Sequence, residues 1–247
     1  MRRAGLSAAP SPPYKSRMSP IVRDSMLIIF DCDGVLIDSE IVAARLEAEA
    51  ITELGLPMTA ETICARFAGT TTKEVWQTLE RELGRPLPPG FFESHLAHVR
   101  EVFARELEPI PGARAAVEAL GLPSCVASST RLPALIDNMA TCGLVDLFDG
   151  RIYSASQVKR AKPAPDVFLF AASQMGADPA DCLVIEDSVA GVTAARRAGM
   201  TVVGFVGGSH VTPGHADRLR AAGASTIFAH MRDLATVVAD HRDARAA

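Results

Sequence analysis

The sequence predicts an α/β fold in which a doubly wound, parallel-sheet core carries an inserted all-α cap domain. Short apolar runs rich in β-branched residues alternate with helical patterns along most of the chain, which is typical of a parallel sheet with helices on both faces. One long segment after the first run has only amphipathic helical patterns. The 247 residues, 48% of them hydrophobic, are enough for one sizeable core and a small second module.

Six apolar runs are predicted as the strands of the sheet. They are 26–30, 124–128, 151–153, 182–186, 201–206 and 226–228. Polar or glycine-containing sequence follows each run. Because open parallel sheets bind ligands at the carboxyl ends of their strands, these polar residues are the first candidates for a functional site.

Helix boundaries in the C-terminal half have recognisable signals. Pro111 and Gly121 bracket a helix over 113–120, since proline favours the first turn of a helix and glycine the residue after its last turn. Ser188 can cap a helix over 189–198. These signals support strand–helix alternation from about Pro111 onward.

The segment 41–108 is predicted as the inserted cap domain. Amphipathic patterns predict helices over 42–54, 73–83 and 91–107. No run in this segment has the pattern of a strand. Two connections that can flex, near 39–42 and 107–112, would join the cap to the core.

The core is predicted to comprise 25–40 and 109–247, so that the cap interrupts it after the first strand. Residues 1–24 are rich in Ser, Pro and Arg and lack the apolar region of a secretory signal, which predicts a disordered tail. Met18 and Met26 are alternative starting residues.

Composition argues against several classes of partner. The net charge is −4 and the 25 basic residues are scattered, which argues against nucleic-acid binding. No apolar run approaches the roughly 18 to 20 residues of a membrane-spanning helix. The five cysteines are odd in number and lack CxxC spacing, which predicts reduced thiols in a cytoplasmic protein. A monomer is expected, because no coiled-coil heptads occur.

The strongest chemical signal follows the first predicted strand. The strand ends in Asp31 and Asp33, and Gly34 then permits a sharp turn that can aim both carboxylates at one reacting group. Phosphate monoesters hydrolyse very slowly unaided, so carboxylate attack followed by hydrolysis of the acyl phosphate gains rate. The pattern therefore predicts Asp31 as a nucleophile and Asp33 as the acid and base that serves the leaving oxygen and then the water.

Two later elements could bind a phosphate group. Ser128 and Ser129, in the hydroxyl run 128–130 at the end of the second predicted strand, could hold a phosphate oxygen with their hydroxyl and backbone N–H groups. Lys162 lies before prolines that stiffen the backbone and limit where its ammonium group can go. Alone, each element is more often an ordinary turn or a solvated loop.

A further acidic pair, Glu186 and Asp187, ends the fourth predicted strand. Oxygen ligands without His or Cys favour a hard cation, Mg²⁺ first. A single acidic pair before a helix is more often an N-cap. Four such elements in order, each at the end of a strand, nevertheless favour the functional interpretation.

Together these motifs resemble those of the haloacid dehalogenase superfamily, in its phosphatase and phosphomutase branch with a helical cap after the first motif. Segments 162–168 and 186–191 closely resemble β-phosphoglucomutase-like and sugar-phosphate phosphatase members. The resemblance extends from about residue 26 to the end of the chain. It implies a Rossmann-like core and Mg²⁺-dependent hydrolysis of a small phosphorylated metabolite, such as a sugar or sugar-acid phosphate, through an aspartyl-phosphate.

The resemblance implies a role for each core motif. Asp31 would be the nucleophile, and Asp33 the acid and base whose backbone carbonyl contacts Mg²⁺. Ser128 and Lys162 would bind the phosphate. The implied metal ligands are Asp31, Asp33, Glu186 and Asp187, of which Glu186 acts directly or through water.

In similar proteins a glycine-containing cap segment closes on the substrate and excludes water. Residues 67–72 occupy the corresponding place in this sequence. The cap residues expected to contact the substrate are Gly69, Thr70 and Lys73.

Several alternatives remain beside the phosphatase. One alternative is a β-phosphoglucomutase-like phosphomutase. Similar mutases have a His a few residues after the first motif and an Arg just after the cap glycine. In this sequence those positions are Ala43 and Thr72, although Lys73 lies one position later. A true dehalogenase would need neither Asp33 nor a metal. A phospho-acceptor signalling receiver would have its acidic pair before the nucleophile, whereas 186–187 comes last. A protein with a purely structural role would be expected to lack at least one of the charged strand-end residues, and none is missing here.

Other residues have ordinary structural interpretations. His210 and His215 lie in a Gly/Pro-rich loop after the fifth predicted strand. They could line the mouth of the site, but surface histidines of a loop are the favoured interpretation. Trp76, Phe91 and Phe92 have spacings that suit a small apolar core in the cap.

Overall fold

The computed structural model describes residues 26–67 and 72–246. The predicted tail over 1–24 and the cap residues Gly69 and Thr70 lie outside the described residues, and the interpretations placed on them stay predictions. Within the described ranges the chain forms one parallel sheet flanked by helices, with a group of four helices between the first and second strands.

The described residues form six strands, which match the predicted runs to within one residue at each end. The strands are β1 (Leu27–Phe30), β2 (Ser124–Ser128), β3 (Ile152–Ser154), β4 (Cys182–Glu186), β5 (Thr201–Phe205) and β6 (Thr226–Phe228). The helices are α1 (Ser39–Glu53), α2 (Ala60–Phe67), α3 (Thr72–Leu83), α4 (Phe91–Glu106), α5 (Ala113–Leu120), α6 (Leu132–Thr141), α7 (Asp166–Met175), α8 (Val189–Arg197), α9 (His215–Ala222) and α10 (Leu234–Ala246).

The sheet has the strand order β3-β2-β1-β4-β5-β6, and its pairings are parallel. The chain builds the sheet outward from β1 to one side and then continues with β4 on the other side, so β1 is the switch point of the topology. Phe30, the last residue of β1, is in register with Val126 of β2 and Ile185 of β4. The carboxyl ends of these three strands therefore lie side by side, where α/β sheets bind ligands.

Alternate residues of β1 pack against helices on opposite faces of the sheet. Ile28 and Phe30 belong to a cluster with residues of α5, α6 and α10, whereas Leu27 and Ile29 pack with residues of α7, α8 and α9. All four side chains are fully buried, as expected of a strand covered on both faces. The doubly wound architecture is confirmed.

The four helices α1 to α4 form a module with its own apolar core. Its buried residues are Ala44, Ala48, Ile51, Ile63, Val75, Trp76 and Leu79. The ring of Trp76 packs edge-on against Phe91, with the ring centroids 4.8 Å apart, and Phe92 lies against the same cluster. The packing role predicted for these three aromatic residues is confirmed.

The helices differ from the sequence prediction in three respects. α1 begins at Ser39, three residues earlier than predicted, because the apolar pattern does not reveal a polar first turn. α2 was not predicted, since its eight residues give too little periodicity. The hydroxyl of Thr59, which accepts a hydrogen bond from a backbone N–H three residues on, is a helix-start signal that could have revealed it. Pro111 precedes α5 rather than lying in its first turn, because Gly112 is the N-cap.

Two connections join the module to the sheet. The Asp38 N–H donates to the Glu108 carbonyl at 3.0 Å, and the Ile110 N–H donates to the Leu36 carbonyl at 2.9 Å. The two connections therefore lie side by side and are held by backbone hydrogen bonds. The domain boundaries, and the action of this module as a cap, stay predictions.

No helix in the described part of the chain combines the length and apolar character that crossing a membrane requires. None of the five cysteines, all of which lie in the described residues, forms a disulfide. Cys32, Cys125 and Cys182 are buried, and Cys64 and Cys142 are half-buried. They therefore contribute mainly to packing.

Glu47 gives the helical module a pH-dependent stability. It is buried on α1, and burial, followed by repulsion from Glu40, raises its pKa from 4.5 to about 7. Between these two values the folded protein retains a proton that the unfolded chain has released. Stability should therefore fall as the pH rises through this window.

Replacing Glu47→Gln should remove this dependence and raise the free energy of unfolding at about pH 8 by up to about 3 kcal/mol, with little change at about pH 4. The measurement is urea unfolding followed by the fluorescence of Trp76, the only tryptophan in the sequence. Glu53→Gln, at an exposed position of the same helix, is the control. An unchanged pH dependence in Glu47→Gln would contradict the assignment.

Candidate active site

The site begins in the turn that follows β1. The carbonyl of Cys32 accepts backbone hydrogen bonds from Leu36 at 2.8 Å and from Ile37 at 3.0 Å, which reverses the chain. Gly34 has φ +75°, and a Cβ atom there would lie 1.9 Å from Oδ2 of Asp187. Only glycine satisfies both the backbone angle and this close approach. The turn therefore packs directly against the acidic residue that follows β4.

Lys162 lies between two carboxylates at the carboxyl edge of the sheet. Its Nζ atom donates to Oδ1 of Asp31 and to Oε1 of Glu186, both at 2.8 Å. The lysine side chain is 4% exposed, that of Asp31 is 10% exposed and that of Glu186 is fully buried. Burial alone would lower the pKa of Lys162, but the two carboxylates raise it above its ordinary value. The ammonium group is therefore a fixed positive charge.

Glu186 is held on both of its carboxylate oxygens. While Oε1 accepts from Lys162, Oε2 accepts from the backbone N–H of Ser188 at 2.7 Å and from its hydroxyl at 3.0 Å. The Ser188 hydroxyl also accepts from the N–H of Gly191, which confirms its predicted cap of α8. A Cβ atom on Gly191 would lie 1.5 Å from Oε1 of Glu186, so the glycine leaves room for this carboxylate.

Asp33 is surrounded by hydroxyl groups. Ser39 donates to its Oδ1 at 2.7 Å, while Ser128 and Thr130 donate to its Oδ2 at 3.2 and 2.7 Å. Ser128 also accepts the backbone N–H of Thr130, and its side chain is fully buried. These contacts join the end of β1, the end of β2 and the start of α1 at one carboxylate.

Asp31, Glu186 and Asp187 form an acidic cluster in which one ligand atom from each residue lies within 4.8 Å of the others. All three are buried. Burial raises the pKa of Asp31 well above its ordinary value, against the opposing effect of Lys162, and burial and Glu186 raise that of Asp187. Three buried carboxylates around one ammonium group are short of positive charge, and three oxygen donors suit a hard divalent cation.

The predicted site residues divide into those that meet at this edge and those that do not. Six meet in the contacts described: Asp31, Asp33, Ser128, Lys162, Glu186 and Asp187. The carboxylate of Asp33 lies outside the acidic cluster, and its predicted backbone contact with a metal stays a prediction. Ser129 is exposed after β2, and Lys73 is exposed in the first turn of α3. Their predicted roles in binding phosphate and substrate stay predictions.

Sequence reasoning missed several residues that complete the site. Ser39 and Thr130, which hold Asp33, were not assigned contacts with it, although each stands beside a motif. The interpretation of His210 and His215 as surface histidines is wrong. His210 Nε2 lies 3.1 Å from Asp187 Oδ2, and His215 Nε2 lies 2.5 Å from the carbonyl oxygen of Asp187. A Gly/Pro-rich loop has no periodicity from which its fold back onto the sheet edge could be predicted.

Comparison with known proteins gives a consistent result. The sequence model of the haloacid dehalogenase-like hydrolases matches residues 26–199. The chain is 32% identical to 6-phosphogluconate phosphatase of Escherichia coli K12, over 75% of this chain and 85% of that protein. It is 30% identical to fructose-1-phosphate phosphatase of the same organism, over 71% of this chain and 94% of that protein.

Solved structures agree. A haloacid dehalogenase-like protein from Agrobacterium tumefaciens str. C58 superposes with a TM-score of 0.83 and is 41% identical. The match covers 88% of this chain and 99% of that one. The sheet and the helical module thus occur together in a similar protein.

Removing the ammonium group tests the charge balance of the site. Lys162→Met would leave Asp31 and Glu186 buried without their cation, which should lower the free energy of unfolding by about 3 to 5 kcal/mol near neutral pH. Urea unfolding in the presence of a chelator measures the change. Lys159→Met, at an exposed position of the same loop, is the matched control. Equal stability of the two variants would mean that Lys162 does not offset the carboxylates.

Proposed function

The chain belongs to the haloacid dehalogenase-like hydrolase family and is a phosphatase, and we propose that it hydrolyses a small sugar-phosphate-like metabolite through an aspartyl-phosphate on Asp31, with Mg²⁺ as cofactor. The observation that carries this proposal is the buried Asp31–Lys162–Glu186 contact beside Asp187. It gives one carboxylate a fixed positive neighbour at the edge of the sheet. This is the arrangement that attack on an anionic phosphoryl group requires.

In the first step, an Asp31 carboxylate oxygen forms a bond to phosphorus and the bond from phosphorus to the substrate oxygen breaks. Asp31 must be ionised to attack. Burial raises its pKa well above the ordinary value, and Lys162 acts in the opposite direction and favours the ionised form. The same ammonium group would attract an equatorial phosphoryl oxygen as the substrate arrives. Bound between Asp31, Glu186 and Asp187, Mg²⁺ would offset the repulsion between the carboxylates and the phosphate.

Asp33 would give a proton to the leaving oxygen and later take one from the water that attacks the aspartyl-phosphate. Water attack then releases inorganic phosphate and restores Asp31. The hydroxyls of Ser39, Ser128 and Thr130 suit both steps, because a hydroxyl can donate to a carboxylate and accept from a carboxyl group. They would hold Asp33 in place in either protonation state.

The substrate class is supported by the relatives. One is named for a sugar-acid phosphate and another for a sugar phosphate, and the chain covers most of the length of both. A phosphomutase would transfer the phosphoryl group back to the sugar instead of to water. The positions that correspond to the mutase His and Arg are Ala43 and Thr72 in this sequence, which weakens the mutase alternative, although Lys73 lies one position later.

Phosphate release tests the proposal. The purified protein is incubated with a panel of phosphorylated sugars, polyols, sugar acids and glycolate, with and without Mg²⁺. β-Glucose 1-phosphate is included and followed for glucose 6-phosphate. Mg²⁺-dependent phosphate release from one subset is expected and would identify the substrate class. Isomerisation without phosphate release would mean that the protein is a mutase and not a phosphatase.

Asp31→Asn should reduce phosphate release by on the order of 10³-fold or more, because the amide cannot attack phosphorus. Steady-state turnover on the best substrate of the panel is measured beside far-UV circular dichroism, which should match wild type. Asp137→Asn, at an exposed position of α6, is the control and should keep full turnover. Wild-type turnover by Asp31→Asn would show that Asp31 is not the nucleophile.

A further inference from the structure

The loop after β5 reaches the acidic cluster because two glycines let its backbone come close to its neighbours. A Cβ atom on Gly207 would lie 2.2 Å from the carbonyl oxygen of Ala229. One on Gly208 would lie 2.7 Å from the ring of His210 and 3.1 Å from the carbonyl oxygen of Gly34. The loop is therefore packed against the turn after β1, and side chains larger than hydrogen would push it away.

This packing places His210 against the carboxylate of Asp187. The Nε2 atom lies 3.1 Å from Oδ2, and the histidine side chain is 12% exposed. The same Oδ2 faces Gly34, where a Cβ atom would lie 1.9 Å from it and 2.9 Å from Cε1 of His210. Asp187 Oδ2 is thus enclosed by the turn after β1 and by the imidazole ring.

The loop is anchored on both sides of His210. The backbone N–H of Ser209 donates to Oδ1 of Asp38 at 3.0 Å, and its hydroxyl donates to Oδ2. At the other end, His215 Nδ1 lies 3.1 Å from Nη2 of Arg218, which can only donate. His215 Nε2 is then the protonated nitrogen, and it donates to the carbonyl oxygen of Asp187 at 2.5 Å.

We propose that His210 is a positioning residue for Asp187, which sets the orientation of that carboxylate for cation binding. The inference rests on the proposed function, since it takes Asp187 as a ligand of Mg²⁺. His215 fixes the backbone of Asp187, but the carboxylate can still rotate about its side-chain bonds. The imidazole engages Oδ2 and limits that rotation, so that less conformational freedom is lost when a cation binds.

Direct binding of Mg²⁺ to the purified protein, measured by calorimetry without substrate, tests this role. His210→Ala should weaken Mg²⁺ binding by about 10-fold or more, the effect expected when a partner of a metal ligand is removed. His210→Gln, whose amide reaches about as far as Nε2, should recover part of the affinity. His210→Asn, whose amide is one carbon shorter, should bind as weakly as His210→Ala. His98→Ala, at an exposed position of α4, is the control.

Circular dichroism and thermal unfolding establish that each variant is folded before binding is measured. Wild-type affinity in both His210→Ala and His210→Asn would overturn the positioning role. If His210→Ala does not fold, the comparison of the Asn and Gln variants decides, and equal affinity in these two would also overturn it. Asp187→Ala tests the cation site independently of His210. If this variant binds Mg²⁺ like wild type, the proposed cation site fails, whatever His210 does.

Discussion

The buried ammonium group of Lys162 is the charge on which the site depends. It is 2.8 Å from a carboxylate oxygen of Asp31 and 2.8 Å from one of Glu186, with little exposure to solvent. Carboxylates buried at this spacing repel one another, and a hydrogen-bonded cation between them makes the arrangement tolerable. With Asp187 beside them, the carboxylates still exceed the positive charge, which is why the same edge of the sheet can hold a divalent cation.

The sheet topology explains why these charges meet, and it also explains why the sequence could predict them. Asp31 directly follows β1, Glu186 is the last residue of β4, and these two strands are paired neighbours in the sheet. Strand ends are readable from sequence as short apolar runs that stop at polar residues, and parallel strands present those ends on one edge. The six strands, and the site residues at or just after the ends of β1, β2 and β4, were therefore predictable, although no two of the four motifs are close in the chain. Lys162 lies eight residues beyond the end of β3, so it was predicted from its prolines and not from a strand end.

The features that could not be predicted from the sequence lie outside the strands, in a short helix, in loops and in turns. α2 is too short to show a period, and the loop that carries His210 and His215 has none. The course of this loop depends on close backbone approaches at Gly207 and Gly208. In the sequence these approaches are visible only as two glycines. Ser39 and Thr130 were missed for a related reason, since a hydroxyl beside a motif is common and its direction depends on the turn that precedes it.

The contacts at the start of α1 connect the helical module with the chemistry of the core. Ser39 is the first residue of α1 and donates to Asp33, while Asp38, just before it, accepts from Ser209. The neighbour of Ser209 is His210, which faces Asp187. The start of α1 therefore supplies one of the hydrogen bonds to Asp33 and, through the loop after β5, contributes to the surroundings of Asp187. Among the described residues the helical module contributes none to the acidic cluster. Its first helix is nevertheless hydrogen-bonded to Asp33 and, through Asp38 and the loop after β5, linked to the surroundings of Asp187.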